Sequence, residues 1–119
     1  MIPQAATGLS REFTFTSEET NGATVLLCRG RLTARVTDRF KQSVKAMFHE
    51  GKTIILDMGN VSQMDSSGLG ALVSLWVSSK SASCRLQFYN LSAPVKRLLG
   101  TAQLLKAFEE CGSHLTKLP

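Results

Sequence analysis

Thr53-Ile54-Ile55-Leu56-Asp57 and, eight residues on, Asp65-Ser66-Ser67-Gly68-Leu69-Gly70-Ala71-Leu72-Val73-Ser74-Leu75-Trp76-Val77 decide how this chain folds. The first is a short apolar, β-branched run bounded by Lys52 and Asp57, as expected of a strand buried on both faces of a parallel sheet. The second opens on helix-capping residues, and Gly68–Val77 is apolar almost all round, which predicts a largely buried helix. Met58–Asp65 between them reads as the connecting loop. A buried strand feeding a buried helix is half of a βαβ unit, and its ligand-facing end is the turn into the helix at Ser66-Ser67-Gly68.

Upstream, Phe13-Thr14-Phe15-Thr16 alternates with period two, Asn21-Gly22 signals a turn, and Ala23–Cys28 is a continuous apolar and β-branched run, so two strands joined by a hairpin are expected. After Gly30, Thr33 is placed to cap a helix whose Val36, Phe40, Val44, Met47 and Phe48 recur at helical spacing, ending at Gly51. Downstream, Cys84, Leu86 and Phe88 alternate with Arg85, Gln87 and Tyr89, which predicts a strand with one face inward. Asn90 begins a turn. Ser92 then caps a helix with Pro94 in its first turn, Val95, Leu98 and Leu99 inward and Gly100 at its end, while Thr101 caps a further turn holding Leu104, Leu105 and Phe108. The element order ββαβαβα specifies an α/β fold, a mostly parallel sheet of about four to five strands covered by helices. Residues 1–12 read as a flexible N-terminal arm, 13–108 as the domain and 109–119 as a C-terminal tail.

With 119 residues, 43% hydrophobic and 19% charged, the chain has the balance of one soluble globular domain, large enough to build a core without a metal or disulfide. Fourteen Lys and Arg against nine Asp and Glu give a net charge of +5. All of that excess lies in residues 29–45, where Arg29, Arg31, Arg35, Arg39, Lys41 and Lys45 face only Asp38. An electrostatically attracted partner should meet that segment. The segment's one aromatic, Phe40, falls on the helix's apolar stripe and no nucleic-acid motif is present, so direct nucleic-acid binding is not expected. Cys28, Cys84 and Cys111 are far apart, with no CxxC pair and only His49 and His114 as imidazoles, which argues against both a disulfide framework and a zinc site. Neither a signal peptide nor a membrane-length apolar run is evident, so a cytoplasmic protein with reduced thiols and no membrane insertion is expected.

Chemistry concentrates at the hydroxyls of Ser66 and Ser67. A serine in the first turn of a helix sits near free N–H groups and the positive end of the helix dipole, so a phosphate added there is accommodated without unfolding the helix. Asp65 has no His or metal partner in the sequence and reads as a loop-shaping hydrogen-bond acceptor rather than a catalytic base; Asp57 reads as a turn former. Trp76, Met47 and Phe48 fall at core positions, and Cys28 and Cys84 act as small buried hydrophobes. With no Walker Gly-Lys-Ser/Thr and no GxGxxG, a nucleotide-binding enzyme is the weakest reading; no catalytic residue and no cofactor is expected.

Gly30-Arg31-Leu32, Ile54-Ile55-Leu56-Asp57 and Asp65-Ser66-Ser67-Gly68-Leu69-Gly70 together resemble a STAS domain, specifically the bacterial anti-sigma factor antagonists, over residues 13–108. The resemblance implies a non-enzymatic protein phosphorylated on Ser67, with Ser66 the adjacent alternative, by a partner that is both anti-sigma factor and serine kinase. It also implies a cycle: the unphosphorylated form binds the anti-sigma factor, phosphorylation releases it, and a serine phosphatase restores binding. The expected partner surface comprises Asp65, Ser66, Ser67, Gly68 and Leu69 with Arg31, Thr33 and Arg35. The alternative is a STAS subunit of a larger assembly, a stressosome-like scaffold or lipid-transporter component, using the same surface for constitutive binding. The sequence departs from the family pattern where Thr33 stands in place of a frequent Asp and where Ser81-Ala82-Ser83 replaces a glycine. Its basic balance is a third departure, and it suggests that Arg31 and Arg35 attract an acidic partner and pair with phosphoserine.

Overall fold

Asn21 and Gly22 both have positive φ, 52° and 82°, the backbone that a two-residue hairpin turn demands. They join β1 (Phe13–Thr20) to β2 (Ala23–Leu32), paired antiparallel from Thr20 with Ala23 out to Phe13 with Gly30. A computed structural model describes residues 12–101, which continue with α1 (Ala34–Lys45), β3 (Thr53–Met64), α2 (Ser66–Ser81), β4 (Arg85–Tyr89) and α3 (Ala93–Thr101). The sheet order is β1-β2-β3-β4, with β2, β3 and β4 parallel. Crossovers between parallel neighbours are right-handed, so two successive crossovers advancing in one direction place α1 and α2 on the same face, where they pack against each other. This is the mostly parallel, helix-covered α/β sheet that the element order specifies.

The face beneath α1 and α2 forms the core. Phe13 and Phe15 of β1, Leu26 and Cys28 of β2, Ile54, Leu56 and Met58 of β3, and Leu86 and Phe88 of β4 are buried with Val36, Phe40 and Val44 of α1 and Leu72 and Leu75 of α2. The Phe40 ring meets Phe13 edge-on, centroids 5.2 Å apart at 86°, and Phe15 at 5.9 Å and 72°, the arrangement that aromatic quadrupoles favour. Burial pushes the Cys28 thiol far above its ordinary pKa, so it stays a neutral core group.

Several local expectations are corrected. Met58–Met64 is not a loop: β3 runs on to Met64, because β2 continues through Arg29–Leu32 and offers it a backbone partner, Asn60 opposite Arg29 and Met64 opposite Leu32. Two register shifts accommodate the extension, one of them at Gly30, where φ is 108° and a Cβ would lie 2.0 Å from the Glu12 carbonyl oxygen. Buried Met58, Val61 and Met64 anchor the added length. β3 is not buried on both faces, since Ile54 and Leu56 are fully enclosed but Ile55 only half so. α1 stops at Lys45, and Met47 and Phe48 pack on the core from the following turns. Gln87 is buried rather than outward. Ser92 does not cap α3 with its hydroxyl, which instead donates to the Val61 carbonyl oxygen at 2.7 Å, and α3 passes through Gly100 to Thr101. The expected turn holding Leu104, Leu105 and Phe108, the tail with Cys111, and residues 1–11 of the arm lie outside the described residues.

Candidate functional site

The C-terminal ends of β2 and β3 lie side by side, so the chain passes into α1 and α2 at neighbouring points. One side chain ties the two helix starts together. Asp65, the N-cap of α2, accepts from the Gly68 N–H on Oδ1 at 3.0 Å and from the Ala34 N–H, at the start of α1, on Oδ2 at 3.2 Å. A single carboxylate therefore serves two helix N-termini, where orphan N–H groups and the dipoles favour negative charge. Thr33 occupies the N-cap position of α1 but makes no side-chain cap bond, so the capping expected of its hydroxyl is supplied by Asp65 instead.

Gly68 lets the two turns approach. A Cβ there would fall 2.5 Å from the Leu32 carbonyl oxygen and 2.6 Å from Met64 Cγ, closer than real Cβ contacts allow. Any larger residue would drive apart the backbones of Leu32–Ala34 and Asp65–Gly68. Ser66 at this junction is exposed and Ser67 half-buried, and among the described residues neither hydroxyl has a hydrogen-bond partner. Leu69 is half-buried behind them and packs on the core edge.

Of the expected site residues, Thr33, Asp65, Ser66, Ser67 and Gly68 are thus gathered at one junction. Arg31 and Arg35 flank it from β2 and α1, but their guanidinium groups turn to a residue outside the expected site: Glu12 Oε2 lies 3.4 Å from Arg31 Nη2 and 3.6 Å from Arg35 Nη1. From the sequence, Glu12 is expected at the end of the flexible arm. Its place is nonetheless encoded, because counting pairs outward from the Asn21-Gly22 turn brings it opposite Arg31, whose N–H donates to the Glu12 carbonyl at 2.7 Å. Both ion pairs are well exposed on the arginine side, so each contributes little to stability.

Asp57, at the opposite flank, accepts from the Gly59 N–H at 3.0 Å and from Asn90 Nδ2 at 3.3 Å, bracing β3 against the turn after β4. Among the described residues no group of three or more His, Cys, Asp or Glu side chains is placed to hold a metal ion, and no helix is long and apolar enough to cross a membrane. A cleft of about 510 Å³ opens beside the junction between Ser62–Met64 of β3 and Pro94, Arg97, Leu98 and Thr101 of α3. The arrangement places two hydroxyls, neither hydrogen-bonded among the described residues, on a surface shared by two helix heads.

A family model described as STAS domain matches residues 14–117. Among solved structures, an anti-sigma factor antagonist from Mycobacterium paratuberculosis is 16% identical over 89% of this chain and 97% of its own, with a TM-score of 0.72. The anti-sigma factor antagonist SpoIIAA in its unphosphorylated form is 20% identical over 77% of this chain and 83% of its own, TM-score 0.62. The Bacillus SpoIIAA in its phosphorylated form is 22% identical over 79% and 86%, TM-score 0.61. The murine anion transporter solute carrier 26 family member A9, inward-facing, is 26% identical over 71% of this chain but 14% of the transporter, TM-score 0.59. No curated protein matches the chain.

Proposed function

We propose that this chain, which belongs to the STAS domain family, is an anti-sigma factor antagonist switched by phosphorylation of Ser67. The observation that carries the reading is the junction itself: a half-buried Ser67 with no competing hydrogen bond among the described residues, in the first turn of a helix whose head is locked by Asp65. Unphosphorylated, this surface binds an anti-sigma factor that is also a serine kinase. A phosphate on Ser67 adds about −1.5 to −2 charges and a hydrated group, which a surface shaped for a hydroxyl excludes. The helix does not have to move for binding to be lost. A serine phosphatase resets the cycle, and the chain performs no catalysis of its own.

Incubation with the cognate kinase and ATP, followed by peptide mass spectrometry, should place one phosphate on Ser67. Ser67→Ala should abolish the modification and Ser66→Ala should leave it; normal phosphorylation of the Ser67→Ala protein rejects the assignment. The likeness to the solute carrier 26 structure supports a second reading, a STAS subunit of a membrane-associated assembly bound constitutively through the same surface. Stable co-purification with a permease, independent of any kinase, selects that reading.

A further inference from the structure

α1 and α2 pack side by side on one face of the sheet, so their outward sides form one continuous surface. On α1 that side carries Arg35, Arg39 and Lys45, all exposed, with Asp38 its only acid. Arg39 and Lys45 take part in no ion pair among the described residues, whereas Arg35 is held by Glu12. On α2 one row runs Ser66, Gly70, Val73, Val77, Lys80, alternating steps of four and three, the spacing of a helix-on-helix seam. Val77, 56% exposed, is the one large hydrophobic residue exposed among the described residues, and Val73 and Trp76 beside it are half-buried. At Gly70 nothing lies within 4 Å of where a Cβ would stand, which leaves a notch in the row. Lys80 Nζ sits 4.7 Å from the centroid of the Trp76 ring, fixing a cation at the end of the apolar row.

We infer that this α1–α2 outer face is a docking surface for an acidic amphipathic helix of a partner protein. The helix lies along the Gly70–Val73–Val77 row with its apolar side, one side chain filling the notch at Gly70, and its carboxylates reach Arg39 and Lys45 on α1 and Lys80 on α2. Charge complementarity selects the occupant. A second copy of this chain would bring a like-charged ridge against Arg39 and Lys45, which repels. A lipid surface takes up exposed aromatic and leucine side chains, but here Trp76 is half-buried and the apolar positions form a single narrow row. This face is built from the helix bodies rather than the helix heads, and its use does not require phosphorylation of Ser67.

The test titrates the full-length, isotope-labelled protein with a synthetic helical peptide of about 20 residues carrying Leu at seam positions and Glu on both flanks, monitored by backbone amide shifts. Shifts should cluster at Arg39, Lys45, Gly70, Val73 and Val77, and Val77→Asp and an Arg39→Glu/Lys45→Glu double variant should each weaken binding by roughly ten-fold or more. Val77→Ser, a milder change at an exposed position, guards against misfolding of the Asp variant, with circular dichroism as control. Ser67→Ala should leave the affinity unchanged, so failure of the switch reading and failure of this one are separable. Equal binding of a peptide with every Glu replaced by Lys, shifts confined elsewhere, or insensitivity to these variants overturns the proposal. Association with phosphatidylserine vesicles but not with the acidic peptide also overturns it and assigns the face to lipid.

Discussion

α1 and α2 cover the same sheet face, yet they are built on opposite plans. α1 is cleanly amphipathic: Val36, Phe40 and Val44 point inward, and Arg35, Asp38, Arg39 and Lys45 point out. α2 is apolar on nearly every side, but only Gly68, Ala71, Leu72, Leu75 and Ser79 are buried, and Val77 stands in solvent. Folding alone explains the first pattern completely and the second for all but one large apolar residue. Leu69, Val73 and Trp76 are half-buried and pack against the core, so Val77 is the one large hydrophobic side chain of α2 left in solvent. α1 thus divides apolar from charged residues cleanly, whereas α2 sets one exposed valine among half-buried neighbours.

Substitutions rank the two helices directly. The largest effect should come from Phe40→Ala, which empties the contact with two other phenylalanines and should cost about 3–5 kcal/mol, read as a lower denaturant midpoint at unchanged slope. Leu75→Ala, on the buried side of α2, should cost roughly 2–5 kcal/mol, showing that this side is as much core as α1. Gly68→Val should cost about 1–3 kcal/mol by pushing Cβ onto the Leu32 carbonyl, with amide shifts on both helix heads. Asp65→Ala removes one carboxylate from two N-termini and should cost about 1–2 kcal/mol. Val77→Ser, on the outer side of α2, should stay within about 0.5 kcal/mol; a loss as large as that of Leu75→Ala would show that the outer side belongs to the core after all. Smallest in stability terms is a chemical readout: the Cys28 thiolate is disfavoured by burial, so iodoacetamide at mildly alkaline pH should spare Cys28 in the native protein and label it once unfolded.

The same contrast explains what can be read from the sequence. The hairpin is legible because Asn21-Gly22 permits one turn and hence one register, and α1 because its stripe has a single period. The far half of β3 is not, since Gly59-Asn60 imitates a turn and the strand exists only through pairing with Arg29–Leu32, which local sequence does not announce. α2 is legible as a largely buried helix, but no local feature of its apolar run marks Val77 as the large residue left in solvent. At the site, Ser66, Ser67 and Asp65 stand out by motif. Glu12 and the bond from Asp65 to Ala34 do not, because the latter joins residues 31 apart and depends on two strand ends being neighbours.

Because Asp65 holds both helix heads, the starts of α1 and α2 are not independent. Fraying at the head of α2 carries away the acceptor of Ala34, so opening there should expose the Ala34 and Gly68 amides together, whereas fraying of α1 should leave the Gly68 bond in place. A ligand that grips the head of α2 and displaces that carboxylate would be felt directly in the first turn of α1, whose Ala34 N–H it also bonds. The junction is thus a shared latch, in which one acidic side chain couples the opening of α2 to the first turn of α1.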